Sequence, residues 1–294
     1  MDGSALVPKS ETGRLAIETE SIGGYTIRYA VATPSLDAPG CPPLLAFNGI
    51  GAAFELMVPV IEALACHGIG VVAFDIPGTG GSPPPSLPYR LPRLARTAHE
   101  LLHHLGIETV DVLGVSWGGA LAQEFVHQYP TAVRRLVLAA TSTGAIMVPG
   151  QPSALLRLAS PRRYVDPDYM HRVGGDLYGG IYRSDPEALR AHGRYLSPPG
   201  KIGYLFQLLA ASGWTSLPWI RSIRQPTLVL MGRDDPIVPP VNGRILASMI
   251  PHAKLHILPC GHLFLLSRTS ESVELIADFL GARGREEAPP ARDP

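Results

Sequence analysis

Little cysteine, no excess of either charge and no long apolar run characterise this sequence, and each shortage closes off a class of protein. Three cysteines, Cys41, Cys66 and Cys260, in 294 residues are too few, and odd in number, for a disulfide framework; they fit a reducing cytoplasm. Lys plus Arg and Asp plus Glu balance at 25 each, so no net charge draws the chain to nucleic acid or anionic lipid. No uninterrupted apolar run approaches the ~18 residues of a membrane span. The opening MDGSALVPKSETGR lacks the basic-then-apolar order of a secretory signal. A cytoplasmic protein without a membrane span is expected. What is abundant is apolar residue (46%) together with 31 Gly and 30 Pro. Because the Gly and Pro lie between apolar runs, they point to many tight turns rather than to disorder.

The runs have an order. YTIRYAVA (residues 25–32) alternates and follows a Gly-Gly turn, as an antiparallel edge strand does. PLLAF (43–47), VVAF (71–74), VDVLGV (110–115), RLVLAA (135–140), TLVLM (227–231) and LHIL (255–258) are short and mostly apolar. Parallel strands covered on both faces have this character. Helical patterns at 53–66, 91–105, 117–128, 242–249 and 272–280 lie between them. Strand–helix alternation of this kind implies an α/β fold with a doubly wound, mostly parallel sheet. Residues 144–223 break the rhythm and should form a helical insertion, a cap on a core made of 14–143 and 224–282. The polar, Pro-rich tail 283–294 is expected to be loose.

Three motifs compete for a functional site. FNGIGAAF (47–54) begins like a dinucleotide fingerprint, with Asp75 ending the next strand where a ribose-binding acid would stand. Phe54, however, fills the third position, which must be small. HELLH (99–103) could hold zinc between two histidines one helical turn apart, with Glu100 as base. No third ligand follows in a recognisable pattern, and such a helix would lie on a face of the sheet, away from the strand ends where ligands bind. We expect no metal and no cofactor. The third motif is GVSWGG (114–119), between a strand and a helical pattern. That is the context of a nucleophile elbow, where Gly114 and Gly118 make room for a sharp turn and the Ser116 hydroxyl is pushed into a cleft.

A serine of this kind needs a base and an orienting acid, and with such an elbow they follow it in the order acid, then histidine. GRDDP (232–236) and CGH (260–262) each follow a strand at its carboxyl end. His262 is preferred over His256, which lies within a strand pattern, and over His252, which precedes that strand. The residues do not separate Asp234 from Asp235; we take Asp235 as the acid and Asp234 as a solvated loop residue. Two backbone donors should receive a tetrahedral oxyanion: Trp117 N–H, directly after the serine, and Ile50 N–H in the loop after PLLAF.

With these residues in place, the sequence resembles the intracellular medium-chain-length poly(3-hydroxyalkanoate) depolymerases of the α/β-hydrolase superfamily. The likeness runs from about residue 43 to 280 and is densest in FNGIGA, FDIPGTGGS, GVSWGGALAQEF, LVLAATSTGAIMVPG, ASPRRYV, GWTSLPW, QPTLVLMGRDDPIVP and GHLFL. Insertions vary most among hydrolases, so ASPRRYV and GWTSLPW carry more of the resemblance than the elbow does. It implies an α/β-hydrolase fold with a helical lid, a triad of Ser116, Asp235 and His262, and hydrolysis of a stored polyester at the surface of cytoplasmic granules. Cys260 stands where the family carries an acidic residue. A partner surface of apolar ester is expected, and Phe206, Trp214 and Trp219 in the insertion either line the cleft or meet that surface, or pack inward as the core of the lid, as large aromatics usually do. A carboxylesterase, lactonase or C–C bond hydrolase on the same fold is the main rival. A non-catalytic granule scaffold would have no use for the triad. Haloalkane dehalogenases and similar epoxide hydrolases would place Asp at the elbow.

Overall fold

The computed structural model describes residues 15–34, 41–159, 162, 166–185, 187–189 and 200–282. The tail 283–294 and most of ASPRRYV lie outside these residues.

The strands are β1 (Leu15–Ile22), β2 (Tyr25–Ala32), β3 (Leu44–Phe47), β4 (Val71–Phe74), β5 (Val110–Val115), β6 (Val133–Ala139), β7 (Thr227–Gly232) and β8 (Ala253–Leu258). They form one sheet in the order β1-β2-β4-β3-β5-β6-β7-β8. β1 and β2 run antiparallel to each other, β2 antiparallel to β4, and β3 to β8 are mutually parallel. The helices in chain order are α1 (Val58–Cys66), α2 (Leu91–His104), α3 (Trp117–Gln128), α4 (Pro152–Ala159), α5 (Pro167–Tyr178), α6 (Lys201–Ala211), α7 (Val241–Met249), α8 (Phe264–Ser267) and α9 (Thr269–Leu280). Proline at the first turn starts α1, α2 and α5, where its missing N–H has no helical partner to lose. Asp166 also caps α5 by accepting the Tyr169 N–H at 2.8 Å.

The sheet is covered on both faces, and the pleat divides its side chains between two cores. Leu45, Phe47, Val72, Phe74, Val112, Leu136, Leu138, Val229 and Met231 pack with α2, α3 and α7. Their neighbours Leu44, Ala46, Val71, Ala73, Leu113, Val137, Leu228 and Leu230 pack with α1, α8 and α9. β2 differs from its expected place: β1 pairs along its whole length, so β2 is an inner strand and β1 is the edge. β1 escaped notice because five of its eight residues are exposed. Without a buried stripe it has no alternation to read, and only pairing with β2 makes it a strand.

Between β6 and β7 the described residues are helical, holding α4, α5, α6 and two short 3-10 turns. The two ends of this segment meet. Gly144 bridges Thr215, the Ala145 N–H reaches Trp214 O at 2.7 Å, and the Ser216 N–H reaches Thr143 O at 3.0 Å. The segment therefore leaves and rejoins the sheet through one narrow neck. Among the described residues no helix is long and apolar enough to cross a membrane.

One buried charge closes the far end of the sheet. Asp111, fully buried, accepts from Arg134 Nε at 3.0 Å and Nη2 at 2.5 Å. Burial raises the Asp111 carboxyl, and the Arg134 hydrogen bonds oppose that shift. Arg134 and Arg135 also both donate to the Leu280 carbonyl at the end of α9. Arg134→Met should therefore leave a buried carboxylate unpaired and lower stability by about 2–4 kcal/mol, the upper part of the range being set by fully buried pairs. Urea unfolding at neutral pH measures it. An unfolding curve that overlays that of the wild type would show the pair to be dispensable.

Candidate active site

The site is made where β3, β5, β6, β7 and β8 end. Ser116 follows β5 at φ 54°, ψ −117°, a conformation that side chains rarely adopt. Three bonds hold it there: its N–H to Ala139 O at 2.8 Å, and its carbonyl to Gly119 N–H at 2.9 Å and to Thr141 Oγ1–H at 2.8 Å. The turn also needs bare backbone on both sides. A Cβ on Gly118 would lie 2.3 Å from Phe47 O, and one on Gly114 would lie 2.5 Å from both Ala122 Cβ and Gly118 O.

The Ser116 Oγ lies 3.1 Å from His262 Nε2, and His262 Nδ1 lies 2.7 Å from Asp235 Oδ2. The other Asp235 oxygen accepts the N–H groups of Ile237 and Val238, both at 2.9 Å. A carboxylate held this way orients the ring so that Nδ1–H donates to it and Nε2 is left to accept the serine proton. Asp235 and His262 are both buried, whereas Ser116 is partly open. The three expected residues thus form one hydrogen-bonded series from Ser116 through His262 to Asp235. His256 lies on β8 and His252 before it, both exposed.

Asp234 is not a free loop acid. It accepts the Gly180 N–H at 2.8 Å and pairs with Arg183 Nε at 2.8 Å. The Arg183 hydrogen bond holds its carboxyl below the usual range. The two adjacent carboxylates face opposite ways, Asp235 toward the histidine and Asp234 toward the segment between β6 and β7.

A cleft of about 790 Å³, partly open to solvent, runs from Ser116 and His262. Its walls are largely apolar and include Leu56, Met57, Ile237 and Leu266, with Leu158 and Leu189 from the segment between β6 and β7. No Lys or Arg is among the described residues that line it. Ile50 lines it too, in a loop whose neighbouring peptides are fixed: the Gly49 N–H donates to Asn48 Oδ1 at 2.8 Å, and the Gly51 N–H to Gln207 Oε1 at 2.7 Å. Trp117 begins α3 directly after the serine, and its indole Nε1–H donates to Gln207 O at 3.0 Å.

Of the alternatives for Phe206, Trp214 and Trp219, lining the cleft is not what the structure has: none of the three is among its lining residues. All three are half-buried against the core. Phe206 meets Tyr89 edge-on, Trp219 stacks on His127 at 4.1 Å, and the Trp214 indole donates to Glu124 Oε2 at 2.7 Å. Their rings are large and, in the case of Trp, have a donor to satisfy; Tyr89 meets Phe206, and the flank of α3 supplies Glu124 to Trp214 and His127 to Trp219. Gln207 was missed because a glutamine in an apolar helix has no local signature.

The rival motifs have other duties. Asp75 is buried and takes the N–H groups of Phe54 and Gly81 at 3.0 and 2.8 Å and the Arg28 guanidinium at 3.1 Å. Those bonds occupy it, and burial pushes its carboxyl up. His99 stacks on Tyr129 at 4.0 Å, and His103 is exposed. Among the described residues no group of three or more His, Cys, Asp or Glu is placed to hold a metal. Cys260 is buried, and burial pushes its thiol up to about 12. At neutral pH it is therefore a small neutral side chain beneath the His262 loop.

Known proteins are similar to this chain. Residues 42–269 match the family described as alpha/beta hydrolase fold. Poly(3-hydroxyalkanoate) depolymerase from Ectopseudomonas oleovorans is 50% identical over 265 residues, which cover 89% of this chain and 91% of that one. 2-Hydroxymuconate semialdehyde hydrolase from Pseudomonas putida is 32% identical over 224 residues, 71% of this chain and 76% of that one. The crystal structure of an enol-lactonase from Burkholderia xenovorans LB400 superposes with a TM-score of 0.76 at 22% identity, covering 90% of this chain and all of that one.

Exchanging each of the neighbouring acids for its amide separates their duties. Asp235→Asn should lower kcat on a soluble ester by about 10⁴-fold, because the amide favours the wrong imidazole tautomer. Asp234→Asn should stay within a few-fold of wild type and change stability by at most about 1 kcal/mol, since its ion pair is half-exposed. The reverse ranking in kcat would move the acid to Asp234.

Proposed function

The chain belongs to the α/β-hydrolase family, and from that membership we propose that it is a serine esterase that cleaves the ester bonds of a poly(3-hydroxyalkanoate), releasing 3-hydroxy acids. The observation that supports it most is the Ser116–His262–Asp235 relay opening into an apolar cleft whose described lining has no cation. A neutral ester chain suits such walls. A carboxylate such as 2-hydroxymuconate would call for a fixed positive charge within reach. The 50% identity to a protein named for polyester hydrolysis points the same way.

The proposed mechanism runs through this relay. Ser116 Oγ attacks the ester carbonyl while His262 Nε2 takes its proton. The oxyanion that forms is received by the Trp117 and Ile50 N–H groups. His262 then protonates the departing alkoxide, leaving an acyl group on Ser116. Water, deprotonated by the same imidazole, releases the acid, and Asp235 holds the ring throughout. The side chains supply all the acid–base chemistry and the reaction calls for no cofactor. Residues 14–143 and 224–282 act as the catalytic core, and 144–223 as its cap.

A polymer cannot be enclosed by a cleft of this size, so the enzyme must work at the surface of a polyester granule in the cytoplasm. The face suited to it is the outer side of α6. Ile202, Leu205, Leu208 and Leu209 are 38–54% exposed there, while Gly203, Tyr204, Gln207 and Ala210 of the same helix are buried. An exposed apolar stripe of this kind is an interaction surface.

Two measurements test the reading. Purified protein should release 3-hydroxy acids from poly(3-hydroxyalkanoate) granules, and Ser116→Ala should lower ester hydrolysis by 10³-fold or more without unfolding. Near-wild-type turnover in that variant would remove Ser116 as the nucleophile. The double variant Leu205→Ser with Leu209→Ser should lower granule hydrolysis about ten-fold while a short soluble ester is hydrolysed normally, which is the loss expected when apolar contact area is removed from an adsorbing face. Equal rates on both substrates would sink the docking face.

A further inference from the structure

We propose that Gln207, on the segment between β6 and β7, is a positioning residue for the oxyanion hole. The proposal rests on the reading of Ile50 and Trp117 as the two oxyanion donors. Gln207 holds the chain beside each of them. Its side-chain Oε1 accepts the Gly51 N–H at 2.7 Å, one residue after Ile50, and its main-chain oxygen accepts the Trp117 indole N–H at 3.0 Å. The residues it joins are 156 and 90 positions away in sequence. No other residue described at the site bonds both the β3 loop and the residue after the serine.

The Gly51 contact matters because of where that loop would otherwise go. Gly51 has φ 72°, and glycine crosses freely between the two halves of backbone space. The Gly49–Ile50 peptide, which carries the Ile50 N–H, is tied through the Gly49 carbonyl to the Ala52 N–H at 3.2 Å, and the Ile50–Gly51 peptide is tied through the Gly51 N–H to Gln207, so the two planes flanking Ile50 are held against rotation. A donor preset in this way needs no reorganisation when charge appears on the oxygen.

The other half of the amide shows that stability alone does not account for the residue. Gln207 is 1% exposed, and among the described residues its Nε2 makes no hydrogen bond of full geometry, having only a weak interaction with the Tyr89 hydroxyl. A buried unsatisfied NH₂ is unfavourable, so an apolar side chain of the same length would relieve one unsatisfied group while creating another at Gly51. Gln207→Met should therefore fold with a melting temperature near that of wild type. Its defect should lie in catalysis, because a small misplacement of reacting groups is enough to lower rate by up to about 10²-fold.

The experiment uses the full-length protein and a soluble 4-nitrophenyl ester. For Gln207→Met we expect kcat to fall about 10–100-fold with KM within about three-fold. Affinity for an alkylboronic acid, which forms a tetrahedral adduct on Ser116, should fall in parallel with kcat, while inhibition by a 3-hydroxy acid product stays unchanged. Gln207→Glu restores an acceptor for Gly51 and should recover most of kcat. The proposal is overturned if Gln207→Met turns over like wild type, if it loses boronate and product affinity equally, or if Gln207→Glu is no better than Gln207→Met. Wild-type protein that turns over no ester would overturn the esterase reading itself, and this proposal with it, which distinguishes the two failures.

Discussion

The site depends on a backbone conformation that the chain does not favour. Ser116 at φ 54° costs on the order of 1–3 kcal/mol in isolation, and it persists because the surroundings over-determine it. The carbonyl ends of β3 press on Gly118, β6 supplies Ala139 O to the serine N–H, and Thr141 clamps the serine carbonyl. Three adjacent parallel strands must end at the same height for these contacts to coexist. The central strands are accordingly short and largely buried, while the antiparallel pair β1 and β2 is free to be longer and wetter.

The legibility of the sequence followed burial. β4, β5 and α3 have the bounds that the pattern predicts, because each is apolar where it must be and is bounded by turn residues. The elbow could be read because it packs a strand, a strained turn and a helix into a dozen consecutive residues. β1 could not be read, since its strand character comes from its partner. The roles of Asp234 and Asp235 could not be told apart because neighbours in an irregular loop point to opposite sides without any periodicity to say which. The aromatics of the segment between β6 and β7 show a different limit. Hydrophobicity reveals that a ring wants cover, but not whether substrate or α3 provides it. In α6 the large Phe206 turns to the protein and the modest Leu205 turns to solvent.

Contacts distant in sequence were the hidden part, and they share a theme. Each loop that carries a site residue is bonded to the segment between β6 and β7. The Gly51 N–H goes to Gln207, the His262 N–H goes to Tyr178 O at 2.7 Å, and Asp234, beside the acid, receives Gly180 and Arg183. On the core, two of these anchors are main-chain N–H groups, those of Gly51 and His262, and the third is the Asp234 side chain.

The Tyr178–His262 bond has a consequence for how such a molecule can change over time. A segment that only roofed a cleft could be replaced by any other of suitable size. Here replacement would withdraw a carbonyl from beneath the histidine loop and a guanidinium from beside the acid, so a transplanted roof would leave the relay intact in composition and loose in position. Innovation in substrate range is therefore channelled: the roof and the strand-end loops must drift as a correlated unit, or the roof must vary only at residues facing outward, where the helices carry their apolar surface and make none of these bonds.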